Sequence, residues 1–253
     1  MKMKTHGLLA LIVAALAALS PNAHADEVSV AVAANFAGPL AKIAEGFTAA
    51  SGHTPKVSAG STGKFYSQIV SGAPFEVLIA ADDETPRKLI AEGFGVASSN
   101  HTYAIGKLVL WSAQPGYVDD QGAVLTAGNF AHLAIANPKL APYGRAGVEV
   151  LKARGLTDTI APRLVTAESI AQAYQFVASG NAELGFVALS QVAVPGKPVT
   201  GSYGLVPPSL YGEIRQDAVL LKTGEKNPAA TALLAYLKSP AARSVIQAYG
   251  YGP

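Results

Sequence analysis

Three short apolar runs, each followed closely by a helix-type pattern, restrict the fold of this chain more than any other feature. Val28–Ala33 is made of small and branched residues, the composition of a strand buried on both faces. Phe36, Leu40, Ile43 and Phe47 then recur at helical spacing until Ser51-Gly52 ends the pattern. Asn35 stands at the start of that helix, where a short polar side chain makes a good N-cap, and Pro39 is tolerated near the first turn. Lys56–Ala59 gives a second strand, followed by a helix carrying Phe65, Ile69 and Val70 and stopped by Gly72. Val77–Ala80 gives a third, and Asp82 or Asp83 caps the helix through Leu89 and Ile90. Strand–helix units repeated in this way build an α/β fold with a mainly parallel sheet covered by helices.

The pattern changes at Tyr103–Ser112, an apolar run long enough to read as one strand crossing into a second lobe. Beyond it, Leu133–Ala136 is a strand ended by the Asn137-Pro138 turn, and a helix runs from about Gly144 to Ala153. Leu164-Val165 is a short strand before a helix beginning near Glu168, and Leu184–Ala188 is the next strand. Residues 194–208 are rich in Pro, Gly and Ser and read as loop; Ala218–Lys222 reads as a return strand. Two helices, Pro228–Lys238 and Pro240–Tyr249, close the chain. The expected organisation is residues 26–105 with 212–253 as one lobe, 106–211 as the other, and a cleft between them.

The chain has 253 residues, 50% of them hydrophobic, which suffices for two lobes of about a hundred residues each. A net charge of +2 with no clustered basic run argues against a nucleic-acid partner. The absence of Cys excludes disulfides and thiolate metal sites. At the N-terminus, Lys2 and Lys4 precede the apolar run Leu8–Leu19 and the small-residue site Ala23-His24-Ala25. That is the plan of a secretory leader over residues 1–25, cut after Ala25; Pro21 and the shortness of the run argue against a membrane anchor. The expected product is an exported chain beginning near Asp26.

Candidate site residues fall at strand ends and helix starts, where open α/β sheets bind ligands. In Ala59-Gly60-Ser61-Thr62-Gly63-Lys64-Phe65-Tyr66, two hydroxyls lie between glycines just before a helix. The glycines allow close backbone approach, and the first helical N–H groups point at whatever is bound, a combination suited to an anion. Ser61 and Thr62 either donate to ligand oxygens or merely cap a turn. The loop is not a nucleotide P-loop, because Phe65 follows Lys64 where Ser or Thr is required. Asn35 either donates to an anion, through its amide and the N–H groups after it, or caps its own helix. Tyr143, in Ala141-Pro142-Tyr143-Gly144, offers a phenol at a helix start; an amphipathic aromatic at a lobe surface is the alternative. Ile170, in Glu168-Ser169-Ile170, offers only a backbone N–H and otherwise reads as core. For an enzyme the machinery is missing. His53, His101 and His132 show no metal-ligand spacing, and no Gly-x-Ser-x-Gly turn is present. Asp82-Asp83-Glu84 reads as an acidic helix start rather than a metal site.

At these residues the sequence resembles the periplasmic molybdate-binding proteins of ABC transporters. The resemblance is carried by Val32-Ala33-Ala34-Asn35-Phe36, by Gly60-Ser61-Thr62-Gly63 with Tyr66-Ser67-Gln68-Ile69, and by Gly72 through Asp82. Tyr103–Ser112, Asn137-Pro138 with Ala141–Gly144, and Leu184–Ser190 continue it in the same order over nearly the whole exported chain. It implies a type II periplasmic binding fold, with molybdate or tungstate held between two lobes as a tetrahedral oxyanion and delivered to a membrane ABC permease. It also implies a monomer without cofactor, direct metal-ion ligands or catalysis. Carried onto this chain, the oxyanion would meet Asn35, the Ser61-Thr62 loop, Tyr143 and the amide of Ile170. Thr62 matches the position where many members have Ser, with Ser61 as the other register. Some members place a ligand tyrosine just after the late strand, where this chain has Ala188; Tyr143 then supplies the phenol. A sulfate or phosphate carrier, with Asp82 as acceptor for a phosphate proton, is the alternative within the binding class, and a secreted enzyme the alternative outside it.

Overall fold

The computed structural model describes residues 25–252, so residues 1–24 of the expected leader lie outside the described residues. The chain begins β1 (Glu27–Ala33), a 3-10 turn (Ala34–Phe36), α1 (Ala37–Ser51), β2 (Thr54–Gly60), α2 (Thr62–Val70), β3 (Val77–Ile79) and α3 (Glu84–Ala91). It continues through β4 (His101–Gly106), β5 (Leu108–Ser112), α4 (Val124–Ala127), β6 (Leu133–Ala136), α5 (Pro142–Ala153) and α6 (Thr157–Ile160). Then come β7 (Leu164–Ala167), α7 (Ile170–Ala178), β8 (Leu184–Ala188), α8 (Leu189–Val192) and β9 (Ser202–Leu205). β10 (Ile214–Leu220), α9 (Pro228–Leu237) and α10 (Pro240–Ala248) complete it.

Two five-stranded sheets form, with strand orders β2-β1-β3-β10-β4 and β7-β6-β8-β5-β9. In the first, β1 pairs parallel with β2 and β3, while β10 runs antiparallel to both β3 and β4. In the second, β6 pairs parallel with β7 and β8, while β5 runs antiparallel to both β8 and β9. Each sheet is thus parallel apart from a single reversed strand. Both reversed strands are the ones the chain enters on changing sheets: β5 directly after β4, and β10 directly after β9.

The run Tyr103–Ser112 is therefore not one strand. It breaks at Lys107, leaving β4 in the first sheet and β5 in the second. Periodicity could not show this, since both pieces are apolar; the break lies in the change of partner. The loop-like stretch 194–208 hides β9, and the return strand starts at Ile214 rather than Ala218.

Helices cover both faces of the first sheet, as its alternation requires. Val28, Val30 and Val32 face a core built with Phe36, Leu40, Ile43 and Phe47 of the first helical segment and Leu233 and Ile246 of the last two helices. Ala31 faces the opposite side, with Phe65, Ile69 and Leu89. Val70, read as part of the α2 stripe, is instead exposed. In the second sheet Trp111 stacks on Tyr174 at 4.6 Å and donates its indole N–H to the Thr200 carbonyl. Ala33, Ala34 and Ala81, at strand ends of the first sheet, pack into the core of the second.

One close approach fixes how α5 leaves β6. A Cβ on Gly144 would lie 2.0 Å from the Ala136 carbonyl oxygen, a backbone atom that cannot move aside. Gly144→Ala should therefore cost about 3 kcal/mol of stability through overpacking. Urea denaturation checks this, and an unchanged midpoint would show that the helix start yields.

Candidate functional site

Register brings the predicted residues together. Ala33 pairs with Gly60 and Val32 with Ile79, so the ends of β1, β2 and β3 lie side by side. Asn35, Ser61-Thr62 and Ala81 follow those ends directly. In the second sheet Ala136 pairs with Ala167, which sets the approach to Tyr143 beside the approach to Ile170. Asn35, Ser61, Thr62, Tyr143 and Ile170 are all buried. The sheets meet here: the Gly63 N–H donates to the Leu140 carbonyl at 2.8 Å, and the Ser190 hydroxyl to the Asn35 carbonyl at 2.9 Å. Ser58, Gly60, Ser61 and Gln68 on one side, with Glu168, Ser169 and Gln172 on the other, line a cleft of about 470 Å³.

Which protons are free follows from the hydrogen bonds. The Ser61 hydroxyl is buried and has no hydrogen-bond partner among the described residues. A buried hydroxyl in that state costs about 1–3 kcal/mol unless something satisfies it. The Thr62 hydroxyl accepts from the Ala81 N–H at 3.0 Å, which leaves its own proton to donate. The Tyr143 oxygen accepts from Gln216 Nε2 at 3.1 Å, with the same consequence. At α7, Ser169 is the N-cap; its hydroxyl takes the Gln172 N–H at 3.3 Å, so the N–H groups of Ile170 and Ala171 are those the helix leaves unpaired.

Asn35 differs from its expected role as a cap. It sits in the 3-10 turn before α1, and no side chain caps either element. Its Nδ2 donates to Gln216 Oε1 at 2.9 Å and to the Tyr251 oxygen at 3.0 Å, which uses both of its N–H bonds. What the segment retains for an anion is the backbone N–H groups of the turn. Asp83 occupies the N-cap of α3 without a side-chain capping bond, its carboxylate accepting from Arg87 Nη1 at 2.8 Å; Asp82 accepts from the Thr85 N–H at 3.0 Å instead. Burial raises the Asp82 carboxyl above its ordinary range, against the pull of its bonds to Thr85.

Sequence reading missed the layer behind these residues. Gln216, Tyr103, Tyr251 and Ser190 form one buried network around Asn35, with the Tyr251 hydroxyl 2.9 Å from the Asn35 carbonyl and 3.0 Å from Ser190 Oγ. The available signal was Gln216-Asp217 directly before the apolar Ala218–Leu221; their polarity hides that they belong to the same strand. Lys64, the cation that lines this cleft, is paired with Glu168 at 3.3 Å; Arg145, outside it, pairs with Glu84 at 3.0 Å. Among the described residues no cluster of His, Cys, Asp or Glu could hold a metal ion.

A model of the bacterial extracellular solute-binding protein family matches residues 28–252. The chain belongs to that family. Among solute-binding relatives, the molybdate-binding protein ModA of Azotobacter vinelandii is 61% identical over 246 residues, covering 96% of this chain and 98% of that one. ModA of Rhodobacter capsulatus is 53% identical over 229 residues, covering 90% and 89%. A solved Azotobacter vinelandii periplasmic molybdate-binding protein superposes with a TM-score of 0.87 at 44% identity, covering 89% of this chain and 99% of that one. The two-lobed solute-binding architecture is thus the type II periplasmic binding fold.

Burial pushes the phenols of Tyr103 and Tyr143 well above the ordinary 10.0, and that of Tyr251 far upward as well. A folded-state value above the unfolded one gives stability that is complete below about pH 10 and is lost as pH rises further. Thermal stability should therefore not respond to these phenols between about pH 7 and about pH 9. Above about pH 10 it should fall by ~1.4 kcal/mol per phenol and pH unit. Near-ultraviolet tyrosinate titration of folded and urea-unfolded protein checks this; full ionisation of the folded protein at the unfolded value would refute it.

Proposed function

We propose that this chain binds molybdate, and tungstate similarly, between its two lobes in the periplasm and delivers it to a membrane ABC permease. The observation that carries this reading is the buried hydroxyl of Ser61, without a partner among the described residues, on a residue that lines the cleft together with Ser169 at the start of α7. The names of the Azotobacter and Rhodobacter relatives point to the same ligand. In this reading residues 26–105 with 212–253 close against 106–211 about the two crossings, and the closed form is what the permease recognises. The chain acts as a monomer, without cofactor or catalysis.

The chemistry needs no cation. Ser61, Thr62 and Tyr143 would supply hydroxyl protons; the turn at Asn35 and the start of α7 at Ile170 would supply backbone N–H groups. Charge-assisted hydrogen bonds contribute roughly 1.5–3 kcal/mol each, so a handful reaches micromolar affinity or better. Helix starts add on the order of 1 kcal/mol apiece. Sulfate is also a tetrahedral dianion but a smaller one. A pocket formed for the larger ion leaves donors unmet by sulfate, at about 1–3 kcal/mol for each.

Thermal shift with molybdate, tungstate, sulfate and phosphate tests the reading. Molybdate at a hundredfold excess over its Kd stabilises by about 2.7 kcal/mol, or about 5–10 °C for a chain of this size. Equal shifts with sulfate, or none with molybdate, would overturn the assignment. Thr62→Ala and Tyr143→Phe should each weaken molybdate binding about 10–100-fold by calorimetry with the melting transition retained. Unchanged affinity in both would remove these residues from the site.

A further inference from the structure

The proposed donor set leaves the buried side chain of Gln216 unexplained. Gln216, on β10, is fully buried and touches both halves of the site. Its Oε1 accepts from Asn35 Nδ2 at 2.9 Å, while its Nε2 donates to the Tyr143 oxygen at 3.1 Å. β10 belongs to the first sheet, whereas Tyr143 begins α5 on the second. We infer that Gln216 is a positioning residue that sets the direction of the Tyr143 hydroxyl proton, and so turns that phenol into a donor for the bound oxyanion. The inference rests on the oxyanion reading above.

A phenol carries one proton, and whichever neighbour takes it decides what remains for a ligand. An amide N–H aimed at the Tyr143 oxygen cannot take that proton, so the proton turns to the other neighbours of the phenol: the Tyr251 hydroxyl when the site is empty, and the oxyanion when it is bound. The amide in turn is held in orientation by the first lobe. Asn35 presents one N–H to Gln216 Oε1 and its other to Tyr251. The Tyr103 hydroxyl also lies 2.9 Å from that oxygen, sharing its single proton with the Ala80 carbonyl at 2.8 Å. Rotating the amide by half a turn would set N–H against N–H at Asn35. The backbone makes room for the pair at Gly106, where a Cβ would fall 2.3 Å from the Tyr143 oxygen and 2.5 Å from Gln216 Nε2.

The test is a double-mutant cycle on the exported chain, titrated calorimetrically with sodium molybdate. Gln216→Met keeps the length and removes the donor; it should weaken binding about 10–100-fold. In a Tyr143→Phe background the same change should cost less than about threefold, because the proton it directs is gone. Gln216→Glu, which takes the phenol's proton for itself, should lose more than Gln216→Met. Gln216→Leu, which also removes the amide donor and leaves Tyr143 untouched, should reproduce the loss if Gln216→Met fails to fold. Wild-type affinity in the folded variants, or an undiminished loss in the Tyr143→Phe background, would overturn the inference. Failure of the wild-type chain to bind molybdate would instead overturn the oxyanion reading itself.

Discussion

Parallel pairing with a common strand end is the constraint on which the site depends. Where Ala33 lies opposite Gly60, and Val32 opposite Ile79, the residues after each strand emerge at one edge. A short loop into a helix then aims the first N–H groups of that helix across the edge. The second sheet repeats the arrangement through Ala136 and Ala167. Polar groups from distant parts of the sequence converge because the strands run the same way. An antiparallel pair would have sent half of them to the opposite end. The single reversed strand in each sheet brings its own contribution, since β10 delivers Gln216 from behind.

Neutral donors suit this geometry better than charges. A buried lysine or arginine among these residues would need a permanent partner when no ligand was bound. Here Lys64 and Arg145 stay outside the donor set, each against a carboxylate of the other lobe. These pairs are largely exposed and contribute little to stability by themselves. Their placement does keep positive charge from entering the buried cluster, where unpartnered hydroxyls such as Ser61 cost far less than an unpaired ion.

Much of this was legible in the sequence, and the remainder was hidden for physical reasons. The glycines around Ser61 and Thr62, and the Ala-Pro-Tyr-Gly start of α5, announce close approach and helix entry through local chemistry alone. The strand–helix order followed from periodicity. Tyr103–Ser112 misled because an apolar run does not show that its two halves pair in different sheets. Asn35 misled because a residue type favoured as a cap is equally suited to a buried amide network, and only the tertiary partners Gln216 and Tyr251 decide between the two. Those partners are separated from Asn35 by most of the chain, beyond the reach of any local pattern.

The buried network also bears on how the lobes part. The proposed opening would break the bonds from Gln216 to Tyr143, from Ser190 to the Asn35 carbonyl and from Tyr251 to Ser190, all buried, as well as the Gly63-to-Leu140 backbone bond. Water entering an open cleft can replace each of these, so the net cost per bond is nearer 1 kcal/mol than the several it would be in a dry interior. Four such bonds, with the small apolar contacts of Ala34 and Ala81, would give closure a free energy of about a few kcal/mol. In the proposed function, a bias of that size is one that a tightly held ion would reinforce. Each sheet keeps its own apolar core, joined by polar bonds and the small contacts of Ala33, Ala34 and Ala81, so each half would hold its shape in the proposed opening.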